Sequence, residues 1–401
     1  MYQHQHHCSV PRLLGLTRFE LPKLNNQIDA GSAKPDALIA QLNPLLFEVR
    51  EKIDSDGIWT PDEALNLIQH LGFWSSSLER HTQRYAPPGS GIAQLLGAED
   101  TLAELGQMAK HPPRDSQYTY WSRNDTENPL TFTGNRQEVS FNRAVNGINR
   151  LRIESNNTLR AICRGDISLT SPGWIATLEH STKNELNTLK LYEALWKQNT
   201  GGITPVFFMT TMRTYLPSYP IKGTLWSGAN AANLPSQMQF DYLCGTVNVE
   251  YVHTVESRWR YLTPEDQEAL KTDMSLPSVT DRVLEHLGLT AQDVEKMSMY
   301  ALAAHIAFAP IAVQTALIPY SKLFKAIHQA TAYHFGLIKS HLVDAAKKLT
   351  PEEKAQLPVS PERGTGGKSH EETKAIMLMR SKHPVASKIA TAVLNPFQLE
   401  S

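Results

Sequence analysis

The chain is poor in the features that mark the easily recognised protein classes. It has three cysteines in 401 residues, Cys8, Cys163 and Cys244. They are far apart and show no Cys-x-x-Cys spacing, which argues against a disulfide framework or a structural zinc site. Such usage suits a reducing compartment, so a cytoplasmic protein is expected. Neither sign of charge prevails. Lys and Arg total 39, Asp and Glu 40, and the formal net charge is −1. No arginine-rich stripe interleaved with aromatics is present either, and no nucleic-acid partner is expected. Met1 to Cys8 lacks a basic region followed by an apolar run, so it does not read as a secretory signal. The one long apolar run, Tyr300 to Tyr320, contains His305, Pro310 and Gln314 and has no flanking basic cluster. It reads as a helix buried in a large core, and no membrane span is expected. Period-2 alternation is scarce as well, Val247 to Val255 being the one tempting strand.

Helix signals fill the space these absences leave. Thr60-Pro61-Asp62-Glu63 combines an N-cap threonine, a proline at N1 and a glutamate at N3. Thr263-Pro264-Glu265-Asp266 and Thr350-Pro351-Glu352-Glu353 repeat it. The stretch after the first start carries Leu65, Ile68, Leu71, Gly72 and Trp74 at helical spacing. Pro35 to Ile53, Ile92 to Ala109, Val139 to Ile162, Trp174 to Trp196, Val279 to Leu287 and Met297 to Leu349 also read as helical. Apolar residues make up 41% of the chain, enough for a substantial core. The expectation is an all-α protein with a smaller N-terminal helical domain, residues 1–130, covering a large helical domain, residues 131–401. The boundary falls in the Asn/Pro/Gly-rich sequence between Arg114 and Gln137. Ala86 to Gly91 reads as a loop, and polar Lys354 to Ser369 as a lid over a site.

The familiar catalytic motifs are incomplete. Gly364-Thr365-Gly366-Gly367-Lys368-Ser369 resembles a phosphate-binding loop, but Glu362 stands where the first glycine is required and no strand precedes it. His370-Glu371-Glu372-Thr373-Lys374 lacks the second histidine of a zinc-protease helix. His334 and His341 are seven residues apart on one helix face, and a neutral imidazole on a rigid helix suits haem iron. On its own that spacing does not mark a ligand, because most histidines on helices are core or surface residues. The residues themselves stop at a helical enzyme of unassigned chemistry.

The order of several segments reaches further. Trp121 through Asn128-Pro129-Leu130-Thr131-Phe132 resembles the tryptophan-containing stretch of indoleamine 2,3-dioxygenases. Thr204-Pro205-Val206-Phe207-Phe208 through Met212-Arg213-Thr214-Tyr215-Leu216 is similar to their Phe-Phe…Leu-Arg helix. Ser227-Gly228-Ala229-Asn230-Ala231-Ala232-Asn233 with Asp241 to Gly245 looks like their small-residue loop and the helix after it. Tyr333-His334 followed by Ile338-Lys339 looks like their haem-ligand helix, and Gly364-Thr365-Gly366-Gly367 like their closing loop. Five such matches in one order span Trp121 to Arg380. Leu71-Gly72-Phe73-Trp74 with Ser77 to His81, and Asp166 to Pro172, are similar to the haem enzymes of pyrrolnitrin biosynthesis, and place the chain nearer that branch.

The resemblance implies haem b as cofactor, dioxygen as co-substrate and an indole amino acid or a similar aromatic amine as substrate. It implies an oxidoreductase in which His334 is the axial iron ligand. Arg213 would hold a substrate carboxylate and Phe208 the ring. Ser227, Gly228 and Ala229 would line the haem edge. Thr365, with Gly364, Gly366, Gly367 and Lys368, would close over substrate amine and haem propionate. Phe208 and Arg213 are five residues apart, so on one helix they would diverge by roughly 140°. Two departures stand out. Relatives carry a propionate-binding arginine three residues before the histidine, where this chain has Thr331, and Lys368 is a candidate replacement for that charge. The expected distal helix, Phe141 to Asn149, offers Asn142, Arg143, Asn146 and Asn149 rather than an apolar face. Hydroxylation of another aromatic amino acid, and a haem sensor or carrier without turnover, are the rival readings. The oligomeric state is left open, with a dimer among the assemblies open to it.

Overall fold

Threonine at the N-cap followed by proline starts helices here because the side-chain oxygen accepts an orphan N–H while proline has none to leave unsatisfied. In the computed structural model Thr60 and Glu63 form a reciprocal capping box. Thr263 likewise accepts from Asp266 N. The structure describes residues 11–56, 60–83, 85–197, 201–355, 357 and 369–394. The lid expected over Lys354–Ser369 and the loop residues Gly364, Thr365, Gly366, Gly367 and Lys368 lie largely or wholly outside them.

The fold is all-α, as the sequence predicts. Helices α1 (Asp36–Asp56), α2 (Pro61–Thr82) and α3 (Ala98–Ala109) build the N-terminal block. Long helices α4 (Arg136–Arg164) and α5 (Pro172–Trp196) follow, then the short α6 (Pro205–Thr210). After these come α7 (Pro235–Cys244), α8 (Val249–Arg258), α9 (Ile311–Ile338), α10 (His370–Ser381) and α11 (Pro384–Leu394). Among the described residues the only sheet is a two-stranded antiparallel hairpin, β1 (Tyr219–Ile221) and β2 (Thr224–Trp226). The stretch Val247 to Val255, tempting as a strand, lies mostly in α8. Asn248 caps that helix, accepting from Tyr251 N, and burial of Tyr251, Thr254 and Val255 follows a helical period.

The apolar segment Met297 to Leu349 is not one helix. It breaks at Ala309-Pro310, then runs as α9 and widens into a π-helical turn over Lys339–Asp344. Proline cannot supply the N–H that would continue the preceding turn, which explains the break. No described helix is long and apolar enough to cross a membrane. Likewise Ile92 to Ala109 is interrupted, because Gly97 adopts positive φ just before α3.

Two large apolar clusters hold the chain. One joins the N-terminal helices to Tyr215, Leu216, Tyr219, Ile221, Ala229 and Leu234. The other joins the C-terminal half of α4 to α5, α7, α9 and α11. Helix α9 packs along α5, and α5 along α4, so these three long rods form the frame. Between them opens the cavity that concentrates the molecule's unusual chemistry.

Candidate active site

Counting the open solvent at its mouth, the cavity spans about 1990 Å³ of space that no protein atom fills. One wall is α4, which presents Phe141, Val145, Ile148, Asn149 and Arg152. These positions recur at helical spacing, so the α4 wall is largely apolar. That corrects the expectation of a polar distal helix in part: Asn149 lines the cavity, while Asn142, Arg143 and Asn146 do not. Arg143 faces outward and donates to the carbonyls of Thr126 and Glu127, at 2.9 and 2.8 Å. Asn146 turns away to donate to Trp121 O at 2.7 Å. Those polar residues brace the loop before α4 instead of facing a ligand.

The opposite wall is α9, with Ile327, Ala330, Thr331, His334, Leu337 and Ile338, continued by His341. His334 lies flat on Tyr192 of α5, with centroids 4.6 Å apart and planes 10° apart. Burial pushes its pKa down to about 4, and the positive charges of Arg380 and Arg152 add to the shift. The ring is therefore neutral at physiological pH, the state in which imidazole binds a metal. Neither nitrogen makes a hydrogen bond among the described residues. His341 differs. Its Nε2 lies 2.9 Å from Ile203 O and its Nδ1 3.1 Å from Leu337 O. Backbone carbonyls thus occupy both faces through which that ring could ligate, and His328 is exposed. Of the three histidines on this stretch, His334 alone presents an uncommitted neutral ring to the cavity.

Between the walls runs a chain of aromatic contacts. Phe208 packs on Phe141 with centroids 5.8 Å apart, and edge-on against His341 at 6.1 Å. Phe208 and Arg213 do not share a helix. The chain breaks at Thr211 (φ −118°, ψ −73°), and Arg213 sits in the separate 3₁₀ turn Met212–Tyr215. Both still line the cavity. The break replaces the simple helical divergence with a kink that lets ring and guanidinium face one space. Arg213 is 1% exposed and donates to Met209 Sδ at 3.5 Å. Burial draws its pKa down to about 10, which leaves it a cation at neutral pH.

Ser227, Gly228 and Ala229 stand just upstream of the cavity wall, which is formed instead by Asn230, Ala231 and Ala232. Ser227 N donates to Tyr261 Oη at 3.0 Å. A Cβ on Gly228 would meet Leu216 O at 2.5 Å, so glycine there lets two backbones touch.

Four guanidiniums reach the cavity: Arg152, Arg213, Arg258 and Arg380. Sequence reasoning singled out only Arg213, since the other three are separated by more than a hundred residues each and carry no motif. Arg152 pairs with buried Glu185 and covers the Phe240 ring at 4.1 Å. Arg380 donates to Asp241 Oδ2 at 2.7 Å, and Tyr251 Oη donates to the same oxygen at 2.5 Å. Burial works against the charge of Arg380, but Asp241 and Tyr251 outweigh it and raise the pKa. Glu185 pairs with Arg152 and Asp241 with Arg380, so two of the four charges have a buried acid beside them.

A family model described as monodechloroaminopyrrolnitrin synthase PrnB matches residues 31–328. The chain belongs to this family. It is a branch of the indoleamine and tryptophan dioxygenase superfamily of haem enzymes, the group that the segments from Trp121 onward resemble. The match covers the α4 wall, Arg213 and Arg258, and stops six residues before His334. No curated protein matches the chain.

Proposed function

We propose that the protein is a haem-dependent oxygenase that converts tryptophan or a closely similar indole amine. The observation that carries this reading is His334, a neutral imidazole with no hydrogen bond among the described residues, on the wall of an arginine-rich cavity. Haem iron needs only one protein ligand, whereas a protein-bound iron or zinc site needs three or four. Among the described residues no group of three or more His, Cys, Asp or Glu could hold a metal ion. A single histidine, a largely apolar facing wall and a lining that carries four guanidiniums suit a flat macrocycle bearing two carboxylates.

In this reading His334 holds the iron, and Tyr192 fixes the plane of its imidazole. Bound haem supplies the activation of dioxygen, which side chains alone do not provide. The apolar face of α4, with Phe141, Val145 and Ile148, keeps water from the opposite side of the cavity. Phe208 contacts the indole ring, and Arg213 takes the substrate carboxylate through its planar fork. Thr365, Gly364, Gly366, Gly367 and Lys368 remain proposed as the segment that closes over the substrate amine.

The test is reconstitution of the purified chain with haem, anaerobic reduction, then addition of tryptophan and oxygen. An oxygenated or rearranged indole product detected by mass spectrometry is expected. Haem binding without any tryptophan-dependent spectral change or product would leave a carrier, and absence of haem binding would remove the reading.

A further inference from the structure

Arg258 closes α8 and reaches the cavity wall, 9% exposed. Its Nη1 donates to Ala232 O at 2.7 Å. Among the described residues no carboxylate lies within salt-bridge distance of it. The nearest acid of the cavity, Asp241, is already committed to Arg380 and Tyr251. Arg258 therefore differs from Arg152 and Arg380, whose charges are each compensated by a buried acid. A buried guanidinium without a counter-charge is costly. Burial depresses its pKa and the charge of Arg380 adds to that, while Tyr251 and Asp241 pull the other way without restoring it.

The turn beside it is built to admit a group. Asn230 Oδ1 caps the turn by accepting from Ala232 N at 3.0 Å. Ala231 and Ala232 give the wall only methyl groups there, so an oxyanion can approach the guanidinium without displacing a side chain. Thr331 also lines the cavity but brings no charge.

We propose that Arg258 is a carboxylate-binding residue of the cavity, distinct from Arg213, and that it completes its ion pair only when a carboxylate-bearing ligand is bound. This rests on the cavity being the ligand site. Two sources share the chemistry: a propionate of haem, and the carboxylate of an amino-acid substrate. Haem loss to a scavenger protein would be timed for the full chain and for Arg258→Gln, each loaded with haem or with haem dimethyl ester. Binding of tryptophan and of tryptamine would be measured on the same proteins.

If the propionate is the partner, Arg258→Gln loses haem at least about tenfold faster, and the difference vanishes with the dimethyl ester. If the substrate carboxylate is the partner, tryptophan binding falls by a similar factor while tryptamine binding holds. Unchanged haem loss together with unchanged tryptophan binding overturns the proposal. A chain that binds haem and tryptophan normally in both forms leaves the functional reading intact, whereas wild-type protein that binds neither overturns both. Should Arg258→Gln fail to fold by circular dichroism, Arg258→Lys carries the same comparison. Lysine keeps the charge and loses the fork, so intermediate losses confined to carboxylate ligands support the proposal, and wild-type values or equal losses for blocked ligands overturn it.

Discussion

Tyr192 and His334 lie face to face, ring on ring, across the contact between the two longest-paired helices of the frame. The stack fixes the plane of an imidazole that has no hydrogen bond of its own among the described residues. Tyr192→Phe keeps an aromatic face, and haem affinity should change less than about threefold. Tyr192→Ala removes the support and widens a cavity that half-buried Tyr192 already lines, so its stability cost should fall below the about 3–5 kcal/mol typical of a fully buried aromatic. Haem loss from that variant should be at least about tenfold faster. Equal haem loss for the two variants would show that the stack does not hold the ligand.

Histidine choice follows from hydrogen bonding rather than position. His334→Ala should abolish the ferrous histidine-haem spectrum, and free imidazole should restore part of it. His341→Ala should keep that spectrum, because both nitrogens of His341 already face carbonyl oxygens. Its expected effect is on the junction between Ile203 and α9, read as a lower melting temperature. The reverse pattern, with His341→Ala losing the spectrum, would mean that the ligand had been assigned to the wrong ring.

Acid stability is governed partly by a second buried ring. His111 Nδ1 donates to Pro112 O at 2.7 Å, its Nε2 accepts from Ser116 Oγ at 2.8 Å, and burial pushes its pKa down to about 4. A histidine with a depressed folded pKa is protonated first in the unfolded chain. Its contribution is constant above the unfolded value of about 6.5 and is lost progressively as pH falls toward 4. The loss reaches about 3 kcal/mol for this residue. His111→Gln should flatten the fall in denaturation midpoint between pH 6.5 and 4. An unchanged slope would assign acid sensitivity to other groups.

Helix starts were legible because capping is local. Thr60, Thr263 and the residues three positions on from each lie within one turn, and the chemistry that starts the helix is complete there. The hairpin Tyr219–Trp226 was not legible, because each strand has three residues and positive φ at Lys222 and Gly223 makes the turn. Nor was the cavity face of α4. Asn142, Arg143, Asn146 and Asn149 read as a polar face, yet only Asn149 reaches the cavity, because Arg143 and Asn146 turn to the loop carbonyls they bond. His334 was singled out by resemblance, while Arg152, Arg258 and Arg380 meet only through tertiary packing. A list of residue types at fixed spacings holds no trace of that meeting.

Glu138 organises the segment that carries Trp121. It accepts from Phe132 N at 2.8 Å, Thr133 N at 2.9 Å, Thr133 Oγ1 at 2.7 Å and Tyr120 Oη at 2.9 Å. Four donors converge on two oxygens, a pattern that a carboxylate satisfies and an amide does not. Glu138→Gln would set an NH₂ group against donors in a fully buried place. The expected cost is about 2–3 kcal/mol, read by urea denaturation. Glu138→Ala should cost at least as much, and a loss below about 0.5 kcal/mol for either would deny the network its structural role.

Arg213 and Phe208 line the same cavity from two separate turns. Phe208 lies before the kink at Thr211 and Arg213 after it, so substitution of either leaves the other on an independent turn. If Phe208 takes the ring and Arg213 the carboxylate, the two losses separate by ligand. Arg213→Ala should weaken tryptophan binding at least about tenfold, equivalent to about 1.4 kcal/mol, and leave indole binding nearly unchanged. Phe208→Ala should weaken tryptophan and indole alike. Arg213 is also 1% exposed, so its removal opens buried space, and Arg213→Met serves as the control that fills it. With Met in place, packing is largely retained and only the charge and fork are gone. The same selective loss of tryptophan over indole in both Arg213 variants assigns the carboxylate to Arg213. Loss in Arg213→Ala with recovery in Arg213→Met would assign it a packing role instead, and would leave Arg258 as the cavity's candidate carboxylate site.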